Sequence, residues 1–522
     1  MNKLLKKVAI TLSLGLGCLS SIPYLSSCGN DTIVGEKGDK GDKGEQGTQG
    51  DKGEDGKSAY QVWLDNGHEG SEEDFLSWLQ NSSANDNNEQ GLAFYLQDDG
   101  TYGVSVGNAI YLSEITVPET YKGKKVTRII DFSSWNGETI SIPDTIQTIN
   151  QAAFACSYNI KYNEYDNGYY LGNENNPYIA LVYTMENKIT SIKIHENCKV
   201  IGSNAFFDND NLVSIDLPLS IININEGAFL SCNNLTSIEI PNSVSEIGHS
   251  AFAFCTKLTS ITIPDSVTSI EASAFYNCSS LTSVILGNAI TSIGDNAFFN
   301  CTKLTSITIP ESITSIGEYA FSNCYSLVEV INKSSLNITK GSTDNGWVGY
   351  YAINIVKTKQ ENSFSMFDNF TLYNFENTYY LISYTGNEEK LIMPEDINGK
   401  SYKVWVAPFI NNYTIKKLII PDNLDFDISS LKGLYLDYVV TNNLEISTFP
   451  FTVINARDPG FGFEKVYYSK SKTEWLGATK EQLNMDFSAS SNFGELYFYS
   501  STQPTDTTYN YWHYVDGEPT AW

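Results

Sequence analysis

The sequence predicts a β-rich solenoid with irregular aromatic insertions and a β-rich C-terminal cap, carried on an N-terminal stalk. Three observations point to this fold class. A unit of 23 residues repeats without slippage across residues 204–330. Polar and apolar residues alternate within each unit, as in a β-strand with one buried face. A proline follows this segment in most units, and it ends the strand because it has no N–H to donate.

Three columns of residues mark the repeat. A phenylalanine recurs every 23 residues, and a leucine follows each one by six positions. A cysteine stands three positions after the last five phenylalanines, whereas Asn209 takes that place in the first unit. The columns comprise Phe206, Phe229, Phe252, Phe275, Phe298 and Phe321, with Cys232, Cys255, Cys278, Cys301 and Cys324. Such a period is typical of a leucine-rich-repeat solenoid, in which stacked units bury a continuous core.

The outward-facing strand positions follow from the alternation. In one unit Ile238 and Ile240 face the core, so Ser237 and Glu239 face outward. Over five strands these positions make a small, polar, nearly uncharged strip on the predicted concave sheet. They are Ser214, Asp216, Ser237, Glu239, Ser260, Thr262, Ser283, Ile285, Ser306 and Thr308. A ligand-binding face and a simple solvated sheet face, rich in β-favouring Ser and Thr, both account for the strip.

The five cysteines are predicted to form a buried, reduced column. Side chains in register on successive rungs are parallel, with Cβ atoms near the rung spacing of about 4.8 Å. A disulfide prefers about 3.8 Å, and free Cys packs well as a small buried hydrophobe. The chain has no CxxC and only four histidines, all scattered, so no metal site is expected.

The repeat unit resembles a known family. Its pattern, L-T-S-I-x-I-P-x-S-V-x-x-I-G-x-x-A-F-x-x-C, is similar to the BspA-type leucine-rich repeat of bacterial surface proteins. The resemblance covers residues 204–330 cleanly and much of residues 91–430 in degenerate form. It implies an extracellular, non-enzymatic protein used for adhesion to host proteins or other cells. The family has no motif-defined binding residues, so it assigns none to this chain.

Residues 1–27 have the features of a lipoprotein signal peptide. Three lysines precede an apolar stretch at residues 8–19, which is shorter than the ~20 residues needed to span a bilayer. Residues 25–28, Leu-Ser-Ser-Cys, resemble a bacterial lipobox, which implies that Cys28 becomes the lipidated first residue of the mature chain. The alternative is an ordinary cleaved signal with an incidental cysteine. A lipidated Cys28 would place the protein on the outer face of the membrane, at the cell surface.

The predicted stalk, residues 28–58, contains eight consecutive Gly-x-y triplets at residues 35–58. Glycine at every third position is the collagen condition, because only glycine fits at the triple-helix axis. We therefore expect a homotrimer, although the proline-free, charged sequence also suits a disordered linker. Residues 59–80 resemble a short helical module that follows collagen-like stretches in fibre proteins, and residues 81–90 are polar like a linker.

The solenoid is expected to occupy residues 91–433. Two stretches rich in aromatic residues interrupt it, at residues 157–189 and 333–390. The chain's period is then lost, and residues 434–522 are predicted to form a β-rich cap.

Aromatic residues characterise the predicted cap. They alternate at residues 465–468 and 495–499, which favours antiparallel strands. The tail at residues 511–522 suits a solenoid end cap or, alternatively, an aromatic sugar-binding platform.

Composition narrows the function. A formal net charge of −28 argues against nucleic acid and anionic lipid as partners, which leaves the N-terminal lipid as the membrane contact. No Ser-His-Asp order, HExxH motif or phosphate-binding loop is present, so we expect no catalytic residues, no cofactor and no enzyme activity. The leading interpretation is a cell-surface adhesin or binding scaffold for an extracellular protein. The alternative is a surface protein that captures carbohydrate or another nutrient.

The lipobox generates the first prediction. Replacing Cys28→Ser should release the protein from the membrane fraction, because the thiol that carries the lipid is lost. Cys18→Ser in the apolar part of the signal is the matched control and should leave the protein membrane-bound. Retention of the Cys28→Ser chain in the membrane fraction would show that the anchor lies elsewhere.

Overall fold

The computed structural model describes residues 91–522 except 187, 359–363, 425–427, 433, 442–461, 469–492, 506–509 and 517. Over these residues the chain is a β-solenoid of about 14 turns with almost no helix. Short 3-10 helices occur at Ala109–Tyr111 and Ile428–Leu431. The predicted signal peptide, stalk, helical module and linker lie outside the described residues, so those expectations remain predictions.

The solenoid begins with a five-stranded sheet that pairs β1 with β2, β2 with β5, and β5 with both β4 and β7. The first strands are β1 (Ala93–Leu96), β2 (Tyr102–Ser105), β3 (Glu114–Thr116), β4 (Thr120–Tyr121), β5 (Lys124–Asp131), β6 (Thr139–Ser141) and β7 (Thr148–Ile149). The β1–β2 pair is antiparallel, whereas β2–β5, β5–β7 and β3–β6 are parallel. The solenoid's parallel stacking is therefore established within its first turns.

Each regular turn contributes two short strands rather than the single strand that the sequence predicts. The predicted set is β12 (Ser214–Ile215), β14 (Ser237–Ile238), β16 (Ser260–Thr262), β18 (Ser283–Ile285) and β20 (Ser306–Ile309). The second set is β13 (Asn223–Ile224), β15 (Glu246–Ile247), β17 (Ser269–Ile270), β19 (Ser292–Ile293) and β21 (Ser315–Ile316). Equivalent residues pair in parallel, for example Ser260 with Ser283 and Ser269 with Ser292. The 23-residue repeat is thus one complete turn.

The predicted core is confirmed. All six repeat phenylalanines are fully buried. Neighbouring rings stack with centroids 4.8 to 5.3 Å apart and planes within 15° of parallel. A buried aromatic side chain removes much apolar surface from water, so this column is a main source of stability.

The predicted cysteine column is also confirmed, because all five thiols are free and buried. Each Sγ donates a hydrogen bond to the backbone oxygen of the phenylalanine 26 residues earlier, at 3.2 to 3.4 Å. Burial raises the pKa of the Cys232 and Cys278 thiols to about 12. The thiols therefore stay protonated and link each turn to the one before it.

The first insertion forms a hairpin that extends the sheet built by the second set of strands. Its strands are β8 (Asn163–Tyr165), β9 (Gly168–Leu171) and β10 (Ala180–Thr184), followed by β11 (Val200–Ile201). The β8–β9 and β9–β10 pairs are antiparallel, and β10 pairs in parallel with β11. The result is a nine-stranded sheet from β8 to β21.

The second insertion contributes three strands, β24 (Phe364–Phe367), β25 (Phe370–Phe375) and β26 (Thr378–Tyr384), to a separate sheet. A fourth strand beyond the insertion, β28 (Tyr402–Val404), completes this sheet in the order β24-β25-β26-β28. The other strands of this region are β22 (Glu329–Asn332), β23 (Asn354–Val356), β27 (Lys390–Ile392) and β29 (Lys417–Ile419). Before the insertion sheet, β22 and β23 continue the ladder of β20 in parallel.

The expectation of antiparallel strands after residue 434 is wrong. The last strands are β30 (Tyr435–Thr441), β31 (Gly462–Tyr468), β32 (Phe493–Tyr499), β33 (Asn510–Val515) and β34 (Glu518–Ala521). Strands β29 to β33 pair in parallel, and only the terminal β33–β34 pair is antiparallel. Alternating aromatics show that one face is buried, but side chains alternate with the same period in parallel and antiparallel sheets. The stacking therefore continues beyond the regular repeats.

The exception in the cysteine column generates the second prediction. Asn209 is fully buried, and neither polar atom of its side-chain amide has a hydrogen-bond partner among the described residues. An unsatisfied buried polar group costs about 1–3 kcal/mol. Asn209→Cys should therefore raise the free energy of unfolding by about that amount, measured by urea denaturation. Cys232→Asn is the reverse change: it puts a second amide into the column, on the next turn, and should lower the free energy of unfolding. A loss of stability in Asn209→Cys would contradict the prediction.

The buried thiols generate the third prediction, a loss of stability at alkaline pH. The folded state raises the pKa of Cys278 from an ordinary 9.0 to about 12, so it binds the thiol proton more tightly than the unfolded state. This contribution is complete below pH 9.0 and disappears as the pH rises to about 12. The urea midpoint should fall across this range, and more gently in Cys278→Ala. Identical pH slopes for both chains would contradict the assignment to the thiol.

Candidate functional site

The ten predicted residues lie on one face of the solenoid, and we call them the polar strip. Eight of them are exposed, and the last two, Ser306 and Thr308, are half-buried. The side chain of Ile285 is 58% exposed, which is unusual for isoleucine in a sheet. Because rungs are about 4.8 Å apart, the five rungs of the strip extend over about 19 Å. The structure thus places the candidates together on a continuous surface.

The hydroxyl groups of the polar strip differ from those beside it. The adjacent threonines are held by the previous turn: the Thr236, Thr259 and Thr282 hydroxyls donate to backbone oxygens 23 residues earlier, at 3.0 to 3.3 Å. The strip's own Ser and Thr hydroxyls make no side-chain hydrogen bond within the described part of the chain. They remain available to donate to, and accept from, a ligand.

The hairpin of the first insertion closes off the N-terminal end of the polar strip. Its turn lies against the rung before Ser214: the Lys193 backbone N–H donates to Asp166 Oδ2 at 2.5 Å, and Asn167 Nδ2 donates to the Ser191 oxygen at 3.3 Å. The hairpin turn thus binds the Lys193 N–H and the Ser191 backbone oxygen, with which an additional parallel strand would otherwise pair.

Aromatic rings support this hairpin. His195 stacks on Tyr178 with ring centroids 4.0 Å apart, and Tyr165 meets His195 edge-on at 4.8 Å. Tyr170 packs beneath them, fully buried. The Tyr-rich character of the first insertion therefore serves local packing.

The sheet of the second insertion covers the C-terminal end of the polar strip. Val328 and Glu329, on the rung after Ser306, are fully buried, whereas Val213 at the other end is 51% exposed. Val328 packs with Tyr373 of β25 and with β26. Strand β26 also accepts a hydrogen bond at 3.1 Å from the Ser326 hydroxyl, and the Tyr373 hydroxyl donates to Glu329 Oε1 at 3.3 Å. The strip is therefore bounded at both ends.

Lys193 is a surface residue that the sequence-based set of ten misses. It occupies the same outward position as Asp216, one turn earlier, and is exposed. The signal was present in the sequence, because Lys193 stands between Ile192 and Ile194 as Glu239 stands between two isoleucines. One cation, Lys193, therefore precedes the strip on the rung before its two carboxylates, Asp216 and Glu239.

The aromatic tail is buried at Trp512 and exposed at Tyr514 and Trp522. Trp512 is fully buried, with ring centroids 5.3 Å from Tyr467 and 5.2 Å from Tyr499. Glu518 of the terminal strand contacts Lys390 at 2.5 Å and accepts a hydrogen bond from the Tyr438 hydroxyl at 2.6 Å. The terminal strand is therefore tied by side-chain contacts to β27 and β30 of its own sheet.

The described residues hold neither a metal-binding cluster nor a membrane-spanning helix. No group of three or more His, Cys, Asp or Glu side chains there is placed to hold a metal ion. Within the same residues, no helix has the length and apolar character needed to cross a membrane.

Comparisons with solved structures find leucine-rich-repeat proteins. A leucine-rich cell-surface protein of Faecalibacterium prausnitzii is 21% identical, covers 76% of this chain and 96% of its own, and has a TM-score of 0.30. A leucine-rich-repeat protein of Bacteroides ovatus is 18% identical, with 73% and 84% coverage and a TM-score of 0.25. One from T. pallidum is 22% identical, with 42% and 89% coverage and a TM-score of 0.22.

The family comparison is more specific. A search among curated proteins finds no match. A family model described as the BspA-type leucine-rich repeat region matches residues 107–174, 181–291 and 268–393, which together make up more than half of the chain. The chain therefore belongs to the BspA-type leucine-rich-repeat family, whose members are cell-surface proteins.

Proposed function

We propose that the protein is a lipid-anchored adhesin that binds an extracellular protein through the polar strip. The observation that carries this proposal is the strip itself: four exposed rungs and one half-buried rung of mostly small side chains, whose hydroxyls make no side-chain hydrogen bond within the described residues. The two insertions bound the strip, so a ligand would meet a surface of defined length. Extended solenoid faces are suited to such binding.

The proposed attachment rests on the N-terminal sequence. Cys28 would carry the lipid, and the Gly-x-y stretch at residues 35–58 would hold the solenoid away from the membrane. Three copies would share this stalk, since glycine at every third residue suits a triple helix. Light scattering of the mature chain should then give three times the mass of one chain. A monomer at low salt would reduce the stretch to a charged linker.

Protein binding is favoured over the alternative, the capture of carbohydrate or another nutrient. The ten strip residues include no aromatic side chain on which a sugar ring would stack. In the tail, which suggested a sugar platform, Trp512 is completely buried, which leaves Tyr514 and Trp522 as the exposed rings. The proposal also treats the protein as a binding module without a catalytic role, in line with the absence of a catalytic motif from the sequence.

The fourth prediction tests this function with cells that display the full chain. They should adhere to a subset of immobilised host or bacterial surface proteins, and Ser260→Trp should abolish adhesion because the ring obstructs the middle of the polar strip. Ser260 is exposed, so the substitution should leave the fold intact. Thr268→Trp, at an exposed position directly before strand β17 of the other sheet, is the matched control and should adhere normally. Adhesion to glycans alone, or equal adhesion by both variants, would contradict the proposal.

A further inference from the structure

The side-chain chemistry of the polar strip changes from its N-terminal rung to its C-terminal rung. Its outer column changes from carboxylates to neutral hydroxyls and includes one apolar side chain. In order, the column reads Asp216, Glu239, Thr262, Ile285 and Thr308. Its inner column is uniform, with a serine on every rung. A ligand that matches both columns must therefore offer different side chains along its length to the outer column and repeated hydrogen-bonding groups to the serines.

An extended polypeptide lying along the axis meets these requirements. Ile285 lies about 14.4 Å from the rung of Asp216 and about 9.6 Å from that of Glu239, at about 4.8 Å per rung. In an extended chain, residues four apart point to the same face and are separated by about 13.2–13.6 Å. If one side chain of the extended polypeptide lies near both carboxylates, the side chain four residues away in the polypeptide therefore lies above Ile285.

We infer that the polar strip binds an extended peptide segment with a lysine or arginine and, four residues away, an apolar side chain. The basic group lies between Asp216 and Glu239, the apolar side chain covers Ile285, and the serines hydrogen-bond the peptide backbone. This inference rests on the proposed protein-binding function and specifies its ligand chemistry.

Charge favours this ligand. The chain's formal net charge of −28 attracts basic segments over long range, and such steering raises association rates. Locally, Asp216 and Glu239 are like charges on adjacent rungs, and neither forms an ion pair with another described residue. Lys193, one rung earlier, repels a second basic group beyond Asp216 and so helps to fix the register. The covered rung at Val328 and Glu329 limits the ligand at the other end.

The fifth prediction tests this inference with labelled synthetic peptides and the full mature chain. The probe carries one lysine and one isoleucine four positions apart in a neutral Ser/Thr/Ala background, and the comparison peptide places them three apart. Fluorescence anisotropy should show at least about fivefold weaker binding for the comparison peptide, a difference of about 1 kcal/mol. Glu239→Gln and Ile285→Ser should each weaken probe binding by a similar factor.

Matched controls separate the strip from general effects of charge and hydrophobicity. Glu311→Gln removes an exposed carboxylate outside the strip, and Leu219→Ser removes an apolar side chain that is 83% exposed on a turn. Neither should change the affinity for the probe. Raised salt should weaken binding of the probe to the unmodified chain more than binding to the Asp216→Asn/Glu239→Gln double variant, which lacks the two carboxylates of the strip.

Equal affinity for the two peptide spacings would overturn the inference. So would a loss of probe affinity in the controls Glu311→Gln and Leu219→Ser as large as that in Glu239→Gln and Ile285→Ser. Adhesion to proteins that persists in Glu239→Gln and Ile285→Ser would also overturn it while leaving the proposed adhesin function in place. Conversely, probe binding that responds to these substitutions, without adhesion of the displaying cells to any protein, would support the peptide site and contradict the adhesin role.

Discussion

The structure depends on one constraint: every residue of a regular turn stacks on its own counterpart about 5 Å away. The ring centroids of Phe229 and Phe252 are 5.1 Å apart, and those of Phe252 and Phe275 are 5.3 Å apart. Each column must therefore consist of groups that tolerate a copy of themselves as a neighbour. Flat rings stack, thiols donate to the previous turn, and hydroxyls do the same. A charged side chain in a buried column would face a like charge in a medium that screens it poorly.

This constraint explains how much the sequence reveals. The buried columns of Phe206 and Cys232 and the outward positions of the polar strip are visible because each follows from the residue's place in a 23-residue unit. The second strand of each turn is not visible, because a two-residue strand such as Glu246–Ile247 is too short to show an alternation. It forms because its backbone pairs in parallel with the equivalent residues of the turns before and after it.

Features set by contacts between distant parts of the chain could not be predicted. The two insertions are recognisable from their aromatic composition, but nothing local indicates that they pack at opposite ends of the polar strip. The hydrogen bond from Ser326 to Ile382 spans 56 residues. In the C-terminal region, Tyr438 pairs with Lys465, which in turn pairs with Glu495. These separations, 27 and then 30 residues, exceed 23, so the stacking persists after the sequence period has disappeared.

The same stacking rule makes the exposed face the natural place for ligand specificity. Two carboxylates about 4.8 Å apart repel each other by only about 1 kcal/mol in water, so Asp216 and Glu239 are tolerated on adjacent rungs. A cation placed between them would relieve this repulsion and gain attraction from both. Solvent therefore permits differences along the outer column that the buried columns exclude. Ile285 follows the same logic, since one apolar side chain in water costs little stability and becomes favourable when a ligand covers it.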